Sequence, residues 1–208
     1  VVLDLLQVHG DKAARYDLPL HFNGHIVTTG FEAEHFPTQR PVLGKDNGYQ
    51  HLWLDARSTP GSEPRSLAWL LDGRFYTYRF GSSAPAQALL VESGANDPEF
   101  NLRREPALLQ RVDGQKDVTF FSVLEPHGEY NGTAEYVHGA DSRIKDIVRT
   151  RGGDAEVIEL RLASGARIAL GVADDSSAKG EHSVTVDGHA YRWSGSHARM
   201  DRSKGDGK

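Results

Sequence analysis

The chain has 208 residues, 25% of them charged and 38% hydrophobic, with 22 Gly, 9 Pro, no Cys and a net charge of −5. That length is ample for a packed core, and the acidic balance gives no electrostatic footprint for a nucleic-acid backbone. No apolar run approaches the ~20 residues of a membrane-spanning helix, and the absence of Cys excludes disulfides, thiol nucleophiles and Cys-ligated zinc.

The opening segment Val1–Val8 lacks the basic and apolar regions of a signal peptide. A β-rich segment at residue one is expected to begin inside a sheet, as part of a longer protein whose localisation signal lies upstream. Tyr16–Val27 follows as a strand in which Pro19 suggests an edge or a bend. Tyr49–Arg57 alternates Leu52, Leu54 and Ala56 with His51, Trp53 and Asp55, the period of a half-buried strand. Ser66–Asp72 and Arg74–Gly81 are separated only by Asp72-Gly73, the strongest short-range hairpin signal in the chain. Pro106 argues for no more than a short turn in Asn101–Gln110. Further strands are expected at Gln87–Glu92, Asp117–Glu125, Arg143–Thr150, Glu156–Leu162, Ala166–Val172, His182–Val186 and Ala190–Trp193. Ser164-Gly165 and Asp187-Gly188 supply two more turns. No segment holds a 3.6-residue apolar period over three turns. The prediction is an all-β fold, an antiparallel sandwich or multi-sheet β-domain over residues 1–195 with little helix. Residues 196–208, small and polar, read as a disordered tail.

Chemistry-bearing patterns are few. The ten His match no zinc spacing, so no metal or cofactor is expected. No Gly-x-Ser-x-Gly turn or HExxH helix is present, and no catalytic residue is assigned. Two polar segments stand out. In Leu124–Asn131, the groups of Glu125, His127, Glu129 and Tyr130 crowd a Pro/Gly turn at the end of an apolar strand, where binding groups tend to sit. The plainer alternative is that Glu125 and His127 cap strand ends while Tyr130 packs. In Gly94–Pro106, Arg103 and Arg104 offer guanidinium recognition of a substrate carboxylate, against a loop stapled by local ion pairs and Asx turns.

Several segments carry a family resemblance. Tyr16–Gly24 (YDLPLHFNG), Asn47–Trp53 (NGYQHLW) and Arg74–Thr77 (RFYT) resemble the β-rich C-terminal part of heparinase II/III-like lyases. Gly94–Pro98 with Asn101–Glu105, and Val123–Asn131, are most similar to the oligoalginate lyases of polysaccharide lyase family 17. The resemblance spans roughly Leu3–Val172. It implies a periplasmic or secreted bacterial enzyme with an upstream α/α-toroid, cleaving alginate by β-elimination. The family's catalytic Asn/His and Tyr groups and its metal site belong to motifs that precede this chain. None is therefore carried over onto Tyr16, Tyr49, Tyr76 or Tyr130, and the chain by itself is expected to be inactive. Its implied role is a noncatalytic β-sandwich packed on the toroid, with Glu125, His127, Glu129, Tyr130, Arg103 and Arg104 lining the substrate cleft. Facing a polyanion, a Glu there would accept hydrogen bonds from sugar hydroxyls. The alternatives are a heparin- or heparan-type lyase domain, which would favour a more basic surface, and a stand-alone carbohydrate-binding module. The latter needs an exposed aromatic platform, for which Trp53, Tyr76 and Tyr78 are the candidates.

Overall fold

A computed structural model describes residues 1–94 and 104–202. Sixteen antiparallel strands and one 3-10 turn, Tyr49–His51, account for the regular structure among them. The first eight strands are β1 (Val2–His21), β2 (His25–Thr29), β3 (Glu34–His35), β4 (Leu52–Arg57), β5 (Arg65–Leu71), β6 (Arg74–Ser82), β7 (Gln87–Gly94) and β8 (Arg104–His127). A short hairpin, β9 (Glu129–Asn131) and β10 (Tyr136–His138), precedes a second sheet of β11 (Ile144–Gly152), β12 (Ala155–Leu162), β13 (Arg167–Ala173) and β16 (His197–Arg202). The hairpin of β14 (Glu181–Val186) and β15 (His189–Ser194) covers that sheet.

The first sheet is folded on itself. β8 and β1 form a long antiparallel ribbon whose register breaks between His9 and Tyr16, opposite the left-handed Gly114 of β8 (φ 70°). On its other edge β8 pairs first with β7 (Gly94↔Arg104 to Gln87↔Arg111) and then with β6 (Ser82↔Phe120 to Phe75↔His127). The half-sheet β2-β5-β6 and the half-sheet β3-β4-β7 therefore share one bent ribbon and face each other. Their inner faces make one core, with Leu67, Trp69, Tyr78 and Phe80 from one half against Ala56, Ala88, Leu90 and Leu108 from the other. The Gln110 amide, donating to the Tyr78 hydroxyl at 3.2 Å, ties the halves together.

Two further interfaces extend the stack. Phe121 and Val123 of β8, with Leu3 and Leu5 of β1, pack on Ile144, Ile147, Ile158 and Leu160 of the second sheet. Its opposite face, with Ala155, Val157 and Ala169, packs on Val184, Val186, Tyr191 and Trp193. Buried carboxylates link the layers. Glu156 accepts from Gln7 of β1 at 2.7 Å and from Arg149 at 2.5 Å. Glu159 accepts from Arg161 and Arg167, both at 2.9 Å, and from the Tyr191 hydroxyl at 2.5 Å.

The all-β expectation stands, and two turns have the backbone their sequences demand. Asp72-Gly73 (φ 49°, 75°) and Asp187-Gly188 (φ 46°, 78°) are two-residue hairpin loops with both residues left-handed, the type I′ geometry that matches strand twist. Two expectations need correction. Arg104–Gln110 is not a turn but the start of β8. Pro106 is tolerated because its backbone faces the side where β1 has ended, at His21, and only the Phe22 N–H remains to be accepted, at 3.4 Å. His197–Arg202, expected as tail, forms β16 on the β13 edge with Ala198 and Met200 on the core beneath the β14–β15 hairpin. An open sheet edge holds polar sequence that composition alone marks as loose.

Candidate functional site

The described parts of the segments that carry the resemblance lie far apart in the chain and meet at one end of the folded sheet. Phe22, just past β1, donates its N–H to Pro106 and packs on Trp69 at 4.8 Å between ring centroids. Trp69 stacks on Tyr76 at 5.5 Å, and Tyr76 is the ladder partner of Pro126. This line of contacts joins the first residues of β8 to its last ones. The bend in the middle of the ribbon has brought both ends of a 24-residue strand to one side of the molecule.

On the β7–β8 side of this end, Trp53 pairs with Glu92 and its ring covers Gly94, where a Cβ would run into the indole. Glu92 accepts from Arg40 and, at 3.2 Å, from Arg104, and Arg40 also pairs with Asp55 at 3.2 Å. Asp55 is the extra residue of a β-bulge between Leu54 and Ala56. Arg104 is 57% exposed, so its guanidinium keeps donors facing solvent. Arg103 lies outside the described residues. A second staple holds the 36–51 loop from below. The Tyr49 hydroxyl donates to Asp17 at 2.5 Å, and Arg111 clamps the same carboxylate at 2.8 and 2.7 Å. Burial alone would raise the Asp17 carboxyl, but these hydrogen bonds outweigh it and leave it below its ordinary value. The bond to Asp17 in turn raises the Tyr49 hydroxyl.

On the other side, Glu125 and His127 are the last outward-facing residues of β8, and both are buried. Glu125 accepts from the Ser142 hydroxyl (2.6 Å), the Arg143 and Ile144 N–H groups (3.0 and 3.2 Å) and the Arg143 guanidinium (2.7 Å). Burial pushes its carboxyl up and these donors pull it down further, for a net lowering. His127 contacts the Gly139 carbonyl through Nδ1 (2.9 Å) and the Thr77 hydroxyl through Nε2 (2.8 Å). A carbonyl can only accept, so Nδ1 carries a hydrogen, and in the neutral ring Nε2 accepts from Thr77. Both groups are thus engaged inside the fold and hold the two feet of the excursion 128–144.

What they hold is exposed. Glu129 and Tyr130 lie on β9, with Tyr130 43% exposed and anchored by its N–H to the Gly73 carbonyl at 2.7 Å. β9 pairs with β10 as Asn131↔Tyr136, Tyr130↔Val137 and Glu129↔His138. Directly opposed residues share a face, so Glu129, Asn131, Tyr136 and His138 form one polar face. The Tyr136 hydroxyl donates to Glu129 at 2.9 Å, which raises its own pKa. Tyr136 and His138 are not marked by the sequence, because three-residue strands carry no period. The available signal was Asn131-Gly132-Thr133, whose Asx turn is seen in the Thr133 and Ala134 N–H groups donating to Asn131 at 3.0 and 2.9 Å.

Among the described residues no group of three or more His, Asp or Glu is placed to hold a metal ion. The aromatic-platform candidates are interior or stacked, with Tyr78 6% exposed and Tyr76 against Trp69.

No family model matches the chain. It is 94% identical over all 208 residues to an alginate lyase of Stenotrophomonas maltophilia (strain K279a). It is 37% identical over 207 residues, 98% of the chain, to an exo-oligoalginate lyase of Saccharophagus degradans (strain 2-40). Both relatives are lyases of alginate. The chain spans 28% of the length of each.

Proposed function

We propose that this chain is a noncatalytic β-module of an alginate-cleaving polysaccharide lyase, of the heparinase II/III-like kind found in polysaccharide lyase family 17. In this reading it packs on an upstream α/α-toroid and contributes one wall of the substrate cleft, in the periplasm or outside the cell. The observation that carries the proposal is end-to-end similarity, at 94% and 37% identity, to two alginate lyases of which it covers little more than a quarter. The residues support a supporting role. Glu125, His127, Asp17 and Tyr49 are engaged in holding elements together, and exposed donors and acceptors gather at one end of the folded sheet.

β-Elimination requires neutralisation of the C5 carboxylate, removal of the C5 proton and protonation of the departing C4 oxygen. In the proposal the acid and base come from the remaining three quarters of the enzyme. Arg104, with solvent-facing N–H groups beside Glu92, would bind a uronate carboxylate away from the scissile bond.

The test compares two proteins on alginate, following absorbance of the unsaturated product. The full-length enzyme should form it, and residues 1–208 alone should form none above a buffer control. Turnover by the isolated chain would mean that a complete catalytic site lies within it, and an inactive full-length protein would overturn the lyase reading.

A further inference from the structure

The β9–β10 hairpin combines a firmly held backbone with side chains that have few internal partners. Its base is fixed at three points: His127 to the Gly139 carbonyl, Glu125 to residues 142–144, and the Tyr130 N–H to Gly73. The Gly128 and Gly139 backbones touch so closely that a Cβ on Gly128 would strike the Gly139 carbonyl. A hairpin of two three-residue strands would otherwise be marginal in water. On its polar face, Glu129 uses one carboxylate oxygen to accept from Tyr136. The other oxygen and both ring nitrogens of His138 have no hydrogen-bond partner among the described residues. The Tyr136 ring lies beside them, 43% exposed.

We propose that this face is a saccharide subsite, in which Glu129 and His138 bind ring hydroxyls of a uronate while the Tyr136 ring covers the sugar's C–H face. The inference rests on the lyase reading and adds a site and a polarity to it. A carboxylate accepts well from paired hydroxyls and repels a second carboxylate. Glu129 therefore admits the hydroxyl edge of a uronate and turns its C5 carboxylate outward. The Tyr136 hydroxyl sets the direction of Glu129 and is thereby a positioning group. The subsite lies at the same end as Arg104 but on the opposite half-sheet, so it serves a sugar unit remote from the one Arg104 would hold.

The experiment uses the full-length enzyme and purified alginate oligomers of increasing length. Glu129→Gln, His138→Ala and Tyr136→Phe should each raise KM about 5- to 20-fold for oligomers long enough to reach the hairpin. kcat should stay unchanged, and so should both constants for the shortest cleavable oligomer. Tyr136→Phe keeps the ring and removes the hydroxyl that orients Glu129, so its effect should be the smallest. Melting temperatures should stay within ~2 °C of the parent, because the variants touch exposed groups. Equal KM values at every length, or a loss of Tm with unchanged KM, would overturn the subsite while leaving the lyase reading intact. Failure of the unmodified enzyme to cleave alginate would instead count against that reading.

Discussion

Glu125 shows how a buried carboxylate becomes structural. Three donors besides Arg143's guanidinium converge on it: Ser142, and the N–H groups of Arg143 and Ile144, which begin the chain into β11. Removing the carboxylate leaves the Arg143 N–H without its acceptor, while Ser142 and Ile144 keep only their bonds to each other. Glu125→Ala should cost about 1–3 kcal/mol, the range for leaving a buried donor without its acceptor, because the Arg143 charge left behind is exposed. Glu125→Gln should cost less, since its carbonyl oxygen still accepts. Thermal unfolding of residues 1–208 reads both, and an unchanged melting temperature in Glu125→Ala would contradict the anchoring role. The same group predicts an acid limit. Its pKa is lowered on folding from an ordinary value near 4.5, so its contribution is fully present above that value and is lost as pH falls through the folded pKa. Asp17 is lowered in the same sense and adds to the loss. Denaturant titrations between pH 6 and 3 should show stability falling below about pH 4.5, and a smaller fall in Glu125→Gln.

At the scale of elements, close backbone approach decides which glycines matter. Gly128 combines φ 51° with a carbonyl where a Cβ would go. Gly128→Ala should therefore lose more than the ~1–2 kcal/mol of the left-handed conformation alone. Gly180, with negative φ and open space around it, is the internal control: Gly180→Ala should shift the melting temperature little or upward. Equal effects at the two sites would mean that the hairpin base is looser than described. The β14–β15 hairpin is held by Tyr191 on Glu159. Burial, and then that bond, push the Tyr191 hydroxyl up to about 12. A raised pKa makes this contribution fully present below pH 10 and progressively lost towards pH 12. Ultraviolet titration of the folded protein should show a tyrosine ionising near pH 12 that is missing from Tyr191→Phe, a variant that should cost about 1–3 kcal/mol.

For the whole molecule, three apolar interfaces run in series through two sheets and a covering hairpin. β8 enters two cores with alternate residues: Leu124 faces the inner core while Val123 faces the second sheet. The cores should therefore fail together. Trp69 reports the innermost interface and Trp193 the outermost, so variants retaining one or the other should unfold at the same denaturant midpoint as the far-ultraviolet signal. Separate midpoints would show that the β14–β15 layer is an independent unit.

Local rules are legible in the amino-acid order alone. Period-two alternation, Asp-Gly turns and the absence of a helical period determined an all-β fold, because side-chain direction and turn backbone depend on neighbours in sequence. The polar crowding of 124–131 is legible in the same way. Which of those groups would be buried was a tertiary decision. Glu125 and His127 sit two residues apart on one face of β8, and their burial depends on Thr77 and on the loop 139–144, reached only through folding. Tyr136 and His138 came to stand beside Glu129 through a pairing that three-residue strands do not announce. The meeting of residues 22, 53, 76, 104 and 126 at one end follows from a bend at Gly114. The ribbon bends where Gly114 is left-handed and the register of β1 breaks between His9 and Tyr16. No local preference encodes where the ends of that ribbon then lie, because that position is set by the face-to-face burial of two half-sheets whose strands are distant in the chain.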